Sequence, residues 1–148
     1  DGLFYYSYEY TQYLNHIGVK TDMVIVTHPR FTTEDYFNAI RYKNAESISG
    51  FIDRIESLYK SSRNEFDFHL SVIRKFIKLI SMINQSVGYD IEFEEFEELA
   101  LIINKKYNNM DHIKLIENIE KLISVLDGNA NPRLSLMNMI INSNKALN

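Results

Sequence analysis

The sequence predicts a mainly α fold: a bundle of about five helices preceded by a small helix-strand-helix segment. Two observations carry the bundle. From Ile48 onward, apolar residues recur at spacings of three and four in one stretch after another, the period of a helix with one buried face. Short polar connections separate the stretches, so neighbouring helices must pack on each other, because isolated helices of this length are marginal in water. A third observation carries the preface: Met23-Val24-Ile25-Val26 is a compact, largely β-branched run bounded by Pro29, the pattern of a short strand. A chain of 148 residues suits one domain, or one domain and a small appendage. Folding at that size removes roughly two-thirds of the unfolded surface from water, so no disulfide or metal staple is needed.

The elements follow in order. Phe4–His16 reads as a helix, with Leu3, Tyr6, Tyr10, Tyr13, Leu14 and Ile17 near one face and Gly18 as its stop. Thr21–Thr27 reads as the strand. Thr32 or Thr33 is the expected N-cap of a helix Glu34–Tyr42, with Glu34 and Asp35 in its first turn and Tyr36, Phe37 and Ile40 facing inward. Asn44–Gly50 is small and polar and is read as a linker, which divides the chain into a helix-strand-helix appendage (1–45) and the bundle (46–148). The first bundle stripe is Ile48, Phe51, Ile52, Ile55, Leu58 and Tyr59. The second runs through Phe66, Leu70, Ile73, Phe76, Ile77, Ile80 and Ile83 and ends at Val87-Gly88-Tyr89. Glu92–Tyr107 is the third helix, with Phe93, Phe96, Leu99, Ile102 and Ile103. Asp111 caps the fourth, which carries Ile113, Ile116, Ile119, Leu122, Ile123 and Leu126, and Gly128 stops it. Pro132 opens the fifth, with Leu134, Leu136, Met137, Ile140 and Ile141. No repeat of fixed period is present.

Composition excludes several function classes. There is no Cys, hence no disulfide framework and no thiolate metal site, and a reducing, cytoplasmic setting is expected. The formal charge of −4 leaves no phosphate-binding stripe across the whole domain, so no nucleic-acid contact is expected within this chain. The longest apolar runs are a few residues, against the roughly 20 of a membrane span. The chain opens on Asp1 without a basic n-region, so no signal peptide is expected and the chain is read as a domain excised from a longer product.

The candidate chemistry is sparse. His16, His28, His69 and His112 show no metal-ligand spacing. Asp90, Glu92, Glu94, Glu95, Glu97 and Glu98 faintly imitate a calcium loop. Glu95 stands where that loop needs Gly and Leu101 where it needs a bidentate Glu, so the run reads as an acidic first turn favoured by the helix dipole. Arg74, Lys75 and Lys78 read as a solvated helix face, and Lys105 and Lys106 as a cationic helix end. No phosphate loop, nucleophile elbow or diagnostic acid/base pair is present, so no enzymatic role, catalytic residue, metal or cofactor is expected.

Two stretches resemble known families. Ile116–Ile141 runs from a helix through Asn129, Asn131 and Leu134 to a short apolar helix with Met137, Ile140 and Ile141. This resembles the end of the collar domain of bacterial clamp-loader subunits of the DNA polymerase III delta-prime type, where a helix enters an Asn-x-Asn-x-x-Leu turn. The resemblance covers about 30 residues. It implies a helical scaffold that joins subunits into a ring, with ATPase chemistry in a separate domain. The strand near Val24–Val26 has no place in such a collar. The N-terminal Gly2-Leu3-Phe4-Tyr5-Tyr6, Glu9, Tyr13-Leu14, Gly18 and Met23–Thr27 instead resemble the first helix and second strand of a nucleotide-sugar glycosyltransferase, where a helix feeds a short parallel strand.

The expected function is that of a non-enzymatic helical assembly module, a homo- or hetero-oligomer with other protein subunits, of the clamp-loader collar kind. Its working surface is expected at Asn129, Asn131, Arg133, Leu134, Met137 and Ile141, where apolar residues are left over once the bundle closes. The alternatives are a fragment of a nucleotide-sugar glycosyltransferase and a small helical viral or phage accessory protein that binds a host factor.

Overall fold

The computed structural model describes the backbone of residues 4–18, 24–27, 29–88 and 96–147 and the side chains of residues 12–18, 29–88 and 96–147. The chain is mainly α-helical, with seven helices among the described residues: α1 (Tyr8–His16), α2 (Pro29–Tyr42), α3 (Ala45–Ser61), α4 (Arg63–Asn84), α5 (Glu97–Lys106), α6 (His112–Asp127) and α7 (Pro132–Lys145). Two short strands, β1 (Phe4–Ser7) and β2 (Val24–Thr27), pair antiparallel, with Phe4 opposite Thr27 and Ser7 opposite Val24. No helix among the described residues is long and apolar enough to cross a membrane.

The expected helix-strand-helix preface is corrected here. A lone strand cannot pair its own backbone N–H and C=O groups. The partner of β2 is β1, taken from the start of the stretch expected to be helix, and the helix begins only at Tyr8. The pair is antiparallel, where the glycosyltransferase resemblance implies a parallel strand.

α2 begins at Pro29, earlier than the expected cap at Thr32 or Thr33. Both threonines lie inside the helix and are buried. Thr33 Oγ1 donates back to the Pro29 carbonyl at 2.9 Å, which satisfies a hydroxyl with no water to reach. The Thr32 hydroxyl sits 2.8 Å from His69 Nδ1 on α4, a buried polar tie between two core helices. His69 is thereby a core residue.

The expected linker Asn44–Gly50 is helix. Asn44 is the N-cap of α3, with Oδ1 accepting from the Ser47 N–H at 2.8 Å, and Gly50 lies within that helix. The polar composition marked a cap, because Asn in front of a helix satisfies a donor the helix leaves open. Ser62 alone joins α3 to α4. Its N–H donates to the Leu58 carbonyl at 2.8 Å, and its Oγ accepts from the Glu65 N–H at 3.3 Å. One residue therefore closes one helix and opens the next.

A single cluster of buried side chains draws on both sides of position 45. Its centre is aromatic: Tyr36 stands edge-on to Phe37 and Phe51, Phe37 to Phe76, and Phe76 tilts against Phe96, with centroids 5.0–5.7 Å apart. These spacings suit the quadrupoles of the rings. Polar ties hold the periphery. Arg54 Nε donates to Asp35 Oδ2 at 2.7 Å between α3 and α2. Asn144 Nδ2 donates to the Ile40 carbonyl at 2.6 Å between α7 and α2. Asn84 Nδ2 donates to Asn104 Oδ1 and the Asn108 carbonyl, fastening the end of α4 beside α5.

Two expected inward residues face outward. Ile102 on α5 and Ile113 on α6 are exposed, while Phe96, Ala100, Ile103, Leu115 and Ile119 make the contacts. The acidic positions Asp90–Glu95, with Phe93, and His28 lie outside the described residues. Glu97 and Glu98 stand in the first turn of α5, Lys105 and Lys106 in its last, as the dipole favours.

Candidate functional site

The site begins with the turn between α6 and α7. The Asn129 N–H donates to the Leu126 carbonyl and the Ala130 N–H to the Val125 carbonyl, each at 3.0 Å. This is the Schellman closure, which requires a left-handed residue just beyond the helix. Asn129 takes that conformation, at φ 65°. Gly128, the expected stop, has an ordinary φ of −88°, and a Cβ there would meet nothing nearer than 3.5 Å. Asn131 then caps α7, its Oδ1 accepting from the Leu134 N–H at 3.0 Å, and Pro132 is the first helical residue. At the far end the Asp111 N–H donates to the Ala146 carbonyl at 2.7 Å. The two helices are therefore antiparallel, fastened at both ends.

The six residues expected at the working surface separate into two groups. Asn129 and Asn131 build the turn. Arg133 reaches across to α3, its Nη1 donating to Asp53 Oδ1 at 2.9 Å and to Glu56 Oε1 at 3.2 Å. All three hold the hairpin in place. Leu134, Met137 and Ile141 point outward instead, at 62%, 36% and 47% exposure. On the opposite side of the same helix Leu136, Met139 and Ile140 are buried. α7 is thus apolar on two faces, and only one of them meets the bundle. Leu134 and Ile141 are seven residues apart, two turns, and so stand in one row.

Beside that row lies a continuous groove between α6 and α7. Its upper part, about 360 Å³, is lined by Leu122, Val125, Ala130, Leu134 and Met139. Its lower part, about 690 Å³, is lined by Lys114, Lys121, Lys145, Asp111 and Glu117. Lys121, Asn118 and Asn142 line both parts. The groove therefore grades from apolar to cationic along its length. Asn118 is buried at its floor, its Nδ2 donating to Ser143 Oγ at 3.4 Å. Such a surface can bury apolar side chains and receive anionic oxygens. Among the described residues, no group of three or more His, Asp or Glu side chains is placed to hold a metal ion.

No family model matches the chain, and neither a curated protein nor a solved structure shows significant similarity to it.

Sequence reasoning did not single out Lys114, Lys121, Lys145, Asn118 or Asn142. The signal available was the spacing of Lys114 and Lys121, seven apart on α6 and hence on one face. Lys145 joins them only because α7 returns antiparallel.

Proposed function

We propose that this chain is a non-enzymatic helical assembly module that binds another protein subunit through the outer face of α7 and the groove beside it. The observation behind this reading is the two-faced apolar character of α7. A surface helix normally carries one apolar stripe, and a helix apolar on both sides is one that becomes covered on both. Clustered exposed apolar residues beside a groove mark protein contact sites. The finer form of the reading is a clamp-loader collar, in which the partners are the other subunits of the ring, and the residues behind it are those of Ile116–Ile141.

The Leu134→Ser, Ile141→Ser double variant tests the reading. Both side chains are exposed, so the fold and its melting temperature are expected to be preserved. The wild-type chain is expected to give a complex by size exclusion with light scattering, either with itself at high concentration or with clamp-loader subunits expressed beside it, and the variant is expected to lose it. An identical elution mass for both proteins in both settings would refute the proposal. Complexes formed only with subunits unrelated to replication would refute the collar form alone.

A further inference from the structure

We infer that the partner segment for this face is an acidic amphipathic helix, seated along the groove between α6 and α7; the inference rests on the docking role proposed above. Charge complementarity and the shape of the apolar row both favour such a segment. The chain as a whole is acidic, with 20 carboxylate residues against 16 cationic ones. The groove reverses that balance. Lys114, Lys121 and Lys145 line it, against Asp111 and Glu117, and the Asp111 side chain is already engaged in accepting the Lys114 N–H at 3.0 Å. Among the described residues, no carboxylate lies within ion-pairing distance of these three ammonium groups. By contrast Arg30, Arg54, Arg63 and Arg133 each have a carboxylate partner. Three cations without a carboxylate partner thus stand together where the apolar row also ends.

The dimensions suit a helix. α6 has 16 residues, about 24 Å of axis. Lys114 and Lys121 stand two turns apart, about 10 Å along the axis, so carboxylates at the same spacing on a facing helix reach both. Leu134 lines the opposite wall, and Ile141, two turns further along α7, is exposed beside the groove; both would receive apolar residues of the guest. An amphipathic helix laid into a groove uses such anchors at helical spacing. A nucleic acid would satisfy the lysines and leave Leu134 and Ile141 in water, whereas an acidic amphipathic helix meets both features.

The test uses the full chain and three designed helical peptides of about 16 residues each. All three carry the same leucine stripe, flanked by Glu, by Lys or by Gln; a short DNA duplex is the fourth probe. Binding is followed by fluorescence anisotropy and located by amide chemical-shift changes. The Glu peptide is expected to bind at least about tenfold more tightly than the Lys peptide, to weaken as salt rises, and to perturb α6 and α7. The Lys114→Glu, Lys121→Glu, Lys145→Glu triple variant is expected to reverse the preference toward the Lys peptide, with an unchanged circular dichroism spectrum showing that the fold persists.

Equal binding of all three peptides at this face would overturn the charge inference and leave the docking role standing. Failure of the Glu peptide to bind, or tighter binding of the duplex, would overturn the inference. Absence of any complex of the wild-type chain, with every peptide and in the size-exclusion comparison alike, would remove the docking role itself.

Discussion

Asn129, Asn131, Arg133 and Tyr36 show how far single side chains decide this structure. Asn129 holds the left-handed turn position, which Ala occupies at a cost and Gly at none. Asn129→Ala is therefore expected to lower stability by about 1 kcal/mol in urea denaturation, while Asn129→Gly leaves it unchanged or raises it. Gly128→Ala, next door, is expected to be tolerated, because its backbone is ordinary and the space is open. Tyr36 is fully buried, and its hydroxyl lies beside Ser143 without forming a hydrogen bond of good geometry. Burial pushes the phenol well above its ordinary value, since the phenolate would have to be desolvated. Tyr13 is raised in the same direction, by burial and then by Asp67. A folded value above the unfolded one means a stabilising contribution that is complete below about pH 10 and lost as pH rises through the folded value. Tyr36→Phe is accordingly expected to move alkaline unfolding to higher pH. At neutral pH it should keep or gain about 1 kcal/mol, because an unpaired buried hydroxyl is removed. A lower alkaline midpoint in a circular-dichroism titration would contradict this account.

Helices in this chain are bounded by side chains that serve two neighbours at once. Ser62 ends α3 and starts α4, and Ser62→Ala is expected to cost about 1 kcal/mol of thermal or urea stability through the lost cap. Asn44 looks like linker material by composition, yet it places α3 directly after α2, with only Lys43 between the helix and the cap. α7 carries apolar residues on two faces. Its inner face is held by the buried residues and by Asn144 and Arg133, and its outer face is exposed. Substitution of Leu134 and Ile141 should therefore change association and leave melting nearly unchanged. Substitution of Leu136 or Ile140, buried on the opposite side, should lower stability by about 2–5 kcal/mol. That contrast within one helix separates a binding face from a packing face.

The aromatic chain Phe51, Tyr36, Phe37, Phe76 and Phe96 crosses from α3 through α2 and α4 to the start of α5, so the bundle shares one interior. A shared interior predicts cooperative unfolding. Phe76→Ala removes the ring that touches both Phe37 and Phe96, and is expected to cost about 3–5 kcal/mol while probes on α2 and α6 still melt together. Separate transitions for the two probes would contradict a common core. At the same scale, the net acidity of the chain and the cationic groove have opposite signs, a distribution that would steer the proposed acidic partner toward one face.

Periodicity alone determined that the chain is mainly helical and which residues of α3 and α4, and most of those of α6, face inward, because a helix exposes its period directly in the order of its residues. It also marked Leu134, Met137 and Ile141 on α7, although periodicity cannot separate apolar residues bound for the core from those left outside. That distinction depends on which neighbours close over each helix, and here only the packing of α7 on α2, α3 and α6 decided it. Packing likewise turned Ile102 and Ile113 outward, made Thr32 and His69 a buried pair, and drew Phe4–Ser7 out of a helical pattern into the strand that β2 required. The gathering of Lys114, Lys121 and Lys145 belongs to the same class. Lys145 is 24 positions from Lys121 in the chain, and only the antiparallel return of α7 brings them to one groove.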